Sequence, residues 1–102
     1  MRGKRHARYI WLGTWTDQGI KNVKESPQRL DANRKLWQAE GVRIVSFHMT
    51  MGAYDTVALL EAPDDAAVAR GVLKMAQGGN VRGMTLRAFS EDEYRKILSS
   101  VG

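Results

Sequence analysis

The chain has 102 residues, a formal net charge of +5 and no cysteine. A chain of this length forms one domain with a single core, and part of its apolar surface can require a second subunit to cover it. The lack of cysteine excludes disulfides, thiolate catalysis and zinc–thiolate sites, and we expect a cytoplasmic protein. No run approaches the ~18 apolar residues that a membrane span needs, so we expect no membrane association.

The basic charge is concentrated at the start of the chain. Residues 1–8 hold four of the 16 Lys and Arg side chains, so 12 remain against 11 acids and the rest of the chain is nearly neutral at +1 (12 − 11). We interpret residues 1–8 as a disordered basic tail and residues 9–102 as the folded domain. Contact between the tail and an anionic partner is the alternative, but a nearly neutral domain argues against a nucleic-acid partner.

Residues 9–16 are rich in aromatic and β-branched side chains, which predicts the first strand. Because side chains alternate along a strand, Ile10 and Leu12 lie on one face, whereas Trp11 and Trp15 lie on the other. We assign the face with the indoles to the uncovered side of the sheet.

Cap and turn signals divide the rest of the chain into elements. Ser26 followed by Pro27 is typical of a helix start, and Ser90 with Glu93 three residues later is a capping-box pattern. In chain order, the predicted elements are a helical piece to residue 25, a helix at 27–40, strands at 42–51 and 54–61, a helix from 63 to about 77, a strand at 81–89 and a short C-terminal helix. The predicted buried stripe of the helix at 27–40 consists of Leu30, Asn33, Leu36 and Trp37.

The hairpin at residues 49–56 joins the second and third strands and places Tyr54 beside Asp55. We expect an odd number of residues in its loop, because this register separates apolar from polar side chains cleanly. It puts Val45, Phe47, Met49, Val57 and Leu59 on the helix-covered face and Ser46, His48, Thr50, Tyr54, Thr56 and Ala58 on the other.

The order β-α-β-β-α-β predicts an α+β, ferredoxin-like fold. Its four-stranded antiparallel sheet has the strand order 4-1-3-2, both helices lie on one face, and a short C-terminal helix follows. The uncovered face indicates that the protein is a homo-oligomer, a dimer or a multiple of one. On our register this face carries Trp11, Trp15, His48, Tyr54, Thr56, Thr85 and Arg87, and the predicted interface residues are Tyr9, Trp11, Trp15 and Thr85.

Several separated motifs occur in a characteristic order. They are Thr16-Asp17-Gln18-Gly19-Ile20-Lys21-Asn22, Ser26-Pro27 with Arg29, Met51-Gly52-Ala53-Tyr54-Asp55, Ala62-Pro63-Asp64-Asp65, Gly79-Asn80-Val81 and Leu86-Arg87-Ala88-Phe89. Together they resemble the GYD-domain family over roughly residues 9–98. The resemblance implies the dimeric α+β-barrel branch of ferredoxin-like folds, and it implies no particular activity.

The predicted strand order brings the end of the first strand and the starts of the third and fourth strands together. This end of the sheet would hold glycines, a lysine, a phenol and a carboxylate beside a helix N-terminus. Such groups could bind a small polar or anionic molecule. The alternative is that these residues only shape turns and caps. The predicted ligand-binding residues are Trp15, Lys21, Gly52, Tyr54, Asp55, Asn80 and Arg87.

His48, Tyr54 and Asp55 are the candidate catalytic residues, because histidine titrates near neutral pH and tyrosine can donate or accept a proton. We expect neither a metal nor a cofactor. Three classes of function stay open: a homo-oligomeric barrel that binds or transforms a small molecule, a non-catalytic assembly or structural oligomer, and an RNA-binding module that stacks bases on Trp11 and Trp15.

Overall fold

The predicted order of elements is confirmed in a computed structural model that describes residues 6–102. Most of the predicted tail, residues 1–5, lies outside the described residues, and Ala7 and Arg8 belong to the first strand. The elements are β1 (Ala7–Trp15), α1 (Asp17–Lys21), a 3-10 turn (Val23–Glu25), α2 (Ser26–Ala39), β2 (Arg43–Met49), β3 (Thr56–Ala62), α3 (Asp65–Ala76), β4 (Val81–Ala88) and α4 (Glu91–Ser99).

Side-chain caps begin three of the helices. The hydroxyl of Thr16 accepts the N–H of Gly19 at the start of α1, and the carboxylate of Asp64 accepts the N–H of Ala67 at the start of α3. The predicted capping box at α4 is confirmed by both of its hydrogen bonds. Such caps satisfy backbone donors that have no partner inside a helix. At α2, by contrast, Ser26 lies inside the helix and no side chain caps it.

The sheet is fully antiparallel, with the order β2-β3-β1-β4, which confirms the predicted order read from the opposite edge. β1 is a central strand, paired with β3 on one side and β4 on the other. Antiparallel neighbours that lie directly opposite each other point to the same face, so the registers show which side chains share a face.

The helices cover the face that carries the aromatic side chains of β1. Tyr9 and Trp11 are only 3% and 6% exposed, and they share a core with Trp37 of α2. Our assignment of Trp11 and Trp15 to the uncovered face is therefore wrong. The same holds for the other residues of β3 and β4 that share their side of the sheet, which are Thr56, Ala58, Thr85 and Arg87.

Two features of the β2–β3 hairpin explain why the covered and uncovered faces are exchanged relative to the prediction. Met49 pairs with Thr56, and the N–H of Thr50 donates to the carbonyl of Asp55, so the loop contains an even number of residues rather than the expected odd number. A bulge at Val45 then changes which residues of β2 face the helices. Phe47 packs on the core from β2, whereas Val57 and Leu59 face the uncovered side.

Gly13 makes room for the buried indole of Trp11. A Cβ atom on Gly13 would lie 2.6 Å from Nε1 of Trp11 and 2.7 Å from Oγ1 of Thr56. Real Cβ atoms do not approach neighbours so closely, so a side chain at this position would displace the indole. The indole can therefore lie against the backbone of β1 only because residue 13 is glycine.

Candidate functional site

The predicted site at the end of the sheet brings three of its residues together. The carboxylate of Asp55 accepts the N–H of Trp15 at 3.0 Å, and the carbonyl of Asn80 accepts the N–H of Thr16 at 3.0 Å. The turn before β3 and the turn before β4 are thus both joined to the end of β1. Trp15, Asp55 and Asn80 lie where the strand order predicted them.

Most polar groups at this end of the sheet are already used in hydrogen bonds. The hydroxyl of Thr16 donates to the carbonyl of Gly79 at 2.5 Å, and the amide of Gln18 donates to Oδ1 of Asn80 at 3.1 Å. Gly19 is pressed against the same turn, because a Cβ there would lie 2.0 Å from the carbonyl oxygen of Asn80. The arrangement joins α1 to the turn before β4 and leaves few free donors for a ligand.

Lys21, Gly52 and Tyr54 take no part in the hydrogen bonds that join these turns. Lys21 is an exposed residue of α1, and Gly52 has a φ of +118° in an exposed loop, a conformation that favours glycine. The hydroxyl of Tyr54 points across the sheet towards the sulfur of Met84, at 3.7 Å.

Arg87 does not belong to this end of the sheet. It lies six residues after the start of β4, roughly 20 Å along the strand, with its guanidinium carbon 5.6 Å from the ring centroid of Tyr9 and 4.6 Å from that of Phe89. Arg87 therefore lies away from the other predicted ligand-binding residues, and its part in binding a ligand stays a prediction.

The three candidate catalytic residues do not form one acid–base set. His48 is exposed on β2, opposite Val57, and its imidazole makes no hydrogen bond within residues 6–102. Asp55 and Tyr54 make the separate contacts given above. In the same part of the chain, no group of three or more His, Cys, Asp or Glu side chains could hold a metal ion.

A small cavity of about 50 Å³ lies between α2 and the sheet, and the sequence did not predict it. All three tryptophans of the chain, Trp11, Trp15 and Trp37, are among the residues that line it. Its other walls are largely aliphatic. Polar side chains that line it are Ser26, Arg29, Asn33 and Thr56.

The electrostatics of this cavity are set by Arg29, the only charged side chain lining it among the residues the structure describes. Its Nη1 donates to the carbonyl of Asn22 at 2.9 Å and its Nη2 to the carbonyl of Gly19 at 3.4 Å, so the guanidinium is held beside the cavity. The one feature of the sequence that pointed to this cavity was Asn33, a polar residue within the apolar stripe of α2.

The uncovered face of the sheet is a second candidate functional surface. Cross-strand pairing aligns six aliphatic side chains in two rows over β3, β1 and β4. Four of the six are partly exposed despite their neighbours in the sheet, and Met84 and Leu86 are 48% and 43% exposed. The rows are Leu59–Ile10–Leu86 and Val57–Leu12–Met84, and we call these six residues the aliphatic face.

Charged residues border the aliphatic face at one end. Glu61 of β3 contacts Arg43 at 2.7 Å and Arg8 at 3.3 Å. The hydrogen bond from Arg43, helped by the positive charge of both arginines, lowers the pKa of Glu61 below its usual range. The carboxylate therefore stays ionised, and the aliphatic face has a polar border.

Helix α4 also presents apolar side chains to solvent. Tyr94, Ile97 and Leu98 recur at helical spacing, which places them on one side of the helix, and they are 55%, 43% and 54% exposed. Within the described residues the helix thus has an apolar stripe that no other part of the chain fully covers.

Helices cover one face of the sheet, and aliphatic side chains form the other. This α+β architecture is that of a ferredoxin-like domain. The chain belongs to the GYD domain family, whose profile matches residues 9–98. It is 41% identical, over 81 residues that are 78% of this chain and 85% of the relative, to a protein of Thermus thermophilus described as "Glutamine synthetase and cystathionine beta-lyase binding protein".

A solved structure supports the fold. The chain is similar to the protein described as "Putative Chlorite dismutase TA0507", with a TM-score of 0.53 and 15% sequence identity over 96% of this chain. The match spans only 50% of that longer chain, and at this identity it shows the fold alone. No helix in residues 6–102 combines the length and apolar character required to cross a membrane.

Proposed function

We propose that this protein is a homo-oligomeric, non-catalytic binding protein that associates with a metabolic enzyme in the cytoplasm. The observation that carries the proposal is the aliphatic face, which has no covering layer within the described chain. Soluble proteins rarely leave contiguous apolar patches of several hundred Å², roughly, unless another molecule covers them.

A second copy of the chain is the best occupant for this face. The face is made of side chains from three strands and carries charged residues at its border. A two-fold symmetric contact lets the same surface serve both copies, and sheet-on-sheet packing buries such aliphatic rows. The result is the dimeric α+β barrel that the family resemblance implies.

An enzyme partner is supported by the relative from Thermus thermophilus, which is described as binding glutamine synthetase and cystathionine β-lyase. If the aliphatic face joins two copies, the apolar stripe of Tyr94, Ile97 and Leu98 on α4 stays available. An amphipathic helix that presents residues at this spacing suits a groove on a partner protein. We therefore assign self-association to the sheet and enzyme binding to α4.

The experiment measures both associations by size-exclusion chromatography with light scattering, alone and with purified glutamine synthetase or cystathionine β-lyase. We expect wild type to be a dimer or a multiple of one and to co-elute with at least one enzyme. Leu59→Lys should release the monomer, whereas Ile97→Lys should keep the oligomer and lose the enzyme. Met51→Lys, at a loop residue that is 91% exposed, is the matched control.

Other results would contradict the proposal. A monomeric wild type at micromolar concentration would remove the self-association, and the absence of binding to either enzyme would remove the choice of partner. Enzyme binding that survives Ile97→Lys but fails in Leu59→Lys would move the enzyme contact to the sheet.

Two other functions have less support. A small-molecule site at the end of the sheet would have to displace hydrogen bonds that Asp55 and Thr16 already make. Base stacking on Trp11 would require an exposed ring, and that residue is 6% exposed beneath the helices.

A further inference from the structure

We propose that the cavity between α2 and the sheet is a binding site for a small carboxylate. This site is separate from the aliphatic face and from α4, so it does not depend on the proposed function. It also differs from the site predicted at the end of the sheet. The proposal rests on the cavity's charge, its unused hydrogen-bond donors and its size.

The charge of the lining favours an anion. Arg29 contributes a cation, and no acidic residue lines the cavity among the residues 6–102. The two backbone carbonyls that Arg29 contacts fix the guanidinium, but they use only part of its five N–H donors. A guanidinium held in this way can offer its remaining donors to a carboxylate, whose planar geometry matches it.

The cavity also contains polar groups without partners. The side chains of Ser26, Asn33 and Thr56 make no hydrogen bond to any residue in the part of the chain that the structure describes, and neither do the indole N–H groups of Trp11 and Trp15. No fully buried side-chain N or O in the described residues lacks a partner, so these groups are open to the cavity and to water, and a polar occupant can take the place of that water. Most of them can donate, which suits the oxygens of a carboxylate.

Size and wall chemistry limit the occupant further. The volume of this cavity, about 50 Å³, is a few times larger than the roughly 10–15 Å³ that one water molecule requires. It therefore accepts a molecule of a few heavy atoms, such as acetate or propionate. The aromatic and aliphatic walls, including Trp37 and Leu60, suit the short carbon chain of such an acid better than they suit a bare inorganic oxyanion.

The position of the tryptophans gives the binding test. Every tryptophan of the chain lines the cavity, so intrinsic fluorescence reports on its occupation. We would titrate the full chain with sodium acetate and sodium propionate at constant ionic strength, using sodium chloride, nitrate and phosphate as comparisons. We expect a saturable change with the two carboxylates, at millimolar concentration because the ligands are small.

Variants identify the site. Arg29→Gln should weaken carboxylate binding at least tenfold, and Arg29→Lys, which keeps the charge without the planar fork, should weaken it less. Asn33→Asp should abolish binding, because it adds a negative charge of nearly the same shape. Arg34→Gln removes an exposed cation from the same helix and should bind like wild type.

Each contrary result overturns the inference. The absence of saturation by either carboxylate at ~50 mM contradicts the proposed site, and an equal response to chloride shows a non-selective anion effect rather than a carboxylate site. Saturation by nitrate or phosphate without a response to carboxylates contradicts the ligand class.

Arg29 also holds α1 and the following turn, so circular dichroism checks each variant. If Arg29→Gln does not fold, acetate binding by folded Asn33→Asp at wild-type affinity overturns the proposal.

Discussion

Asp55 and Trp15 join the β2–β3 hairpin to the end of β1 through a side-chain carboxylate and a backbone N–H, 3.0 Å apart. Two backbone hydrogen bonds hold Asp55 in this position. Its N–H donates to the carbonyl of Gly13 at 2.8 Å, and its carbonyl accepts the N–H of Thr50 at 2.7 Å. The side chain thus acts as a structural acceptor for a donor at the end of the strand.

We expect Asp55→Asn to lower the free energy of unfolding by about 1 kcal/mol, because the amide keeps an acceptor but loses the charge. Asp55→Ala should cost about 2 kcal/mol, because it leaves the N–H of Trp15 without its partner. Urea denaturation gives both values, and Asp31→Asn on the exposed side of α2 is the control. A catalytic base predicts the reverse pattern, with unchanged stability in Asp55→Asn and lost chemistry.

The buried phenol of Tyr9 gives a prediction about pH. Burial, with the hydrogen bond that Tyr9 donates to the carboxylate of Asp65, raises the pKa of Tyr9 to about 12. In the unfolded chain a tyrosine titrates near ~10. Between these values the native protein retains a proton that the unfolded chain loses, so the stability from Tyr9 is complete below pH ~10 and falls as the pH rises towards ~12.

Tyr9→Phe should cost about 2 kcal/mol near neutral pH, because it removes a hydrogen bond to a charged acceptor. The stability difference between wild type and Tyr9→Phe should shrink from pH ~9 to pH ~11. Urea midpoints at both pH values measure it, and Tyr94→Phe, at a residue that is 55% exposed, should show little difference at either pH. A gap that stays constant over this range would contradict the linkage.

The strand order could be predicted from the sequence, but the alternation of side chains did not predict the covered face. Both faces of β1 are apolar, with Ile10 and Leu12 on one side and Tyr9 and Trp11 on the other, so alternation alone does not select between them. The choice then depended on the β2–β3 loop. Pairing between Thr50 and Asp55 made that loop even, and turn propensities for Gly52 and Ala53 did not determine this.

The glycines of β1 and β4 carry a signal for the covered face that alternation does not. Gly13 and Gly83 pair across β1 and β4, and the indole of Trp11 approaches both of them. A pair of opposed glycines beside a tryptophan indicates where a large ring lies against the sheet, which is the packed side. The cavity was harder to predict, because Arg29, Asn33 and Thr56 come from separate elements and meet only in the folded chain.

The basic residues at the start of the chain give a prediction about nucleic acids. Removing residues 1–5 deletes three basic side chains and leaves 13 Lys and Arg against 11 acids, or +2 (13 − 11). Binding to DNA or RNA at low salt should then be largely lost, with unchanged urea denaturation. Removing residues 1–8 should also destabilise the fold, since Arg8 pairs with Glu61 in β1 and β3. Filter binding measures the first effect, and sequence-selective binding by the shorter chain at ~150 mM salt would contradict it.

Adjacent residues of β1 test which face is covered and which joins the copies. Trp11 is 6% exposed beneath the helices, whereas Leu12 lies in the aliphatic face. We expect Trp11→Glu to cost at least about 4 kcal/mol, because it empties a core site and buries a charge there, and so to prevent cooperative folding. Leu12→Glu should leave a folded monomer, because it introduces charge repulsion only where two copies meet. Circular dichroism and light scattering separate these results, and a folded, monomeric Trp11→Glu beside an oligomeric Leu12→Glu would show that the indole face is the interface.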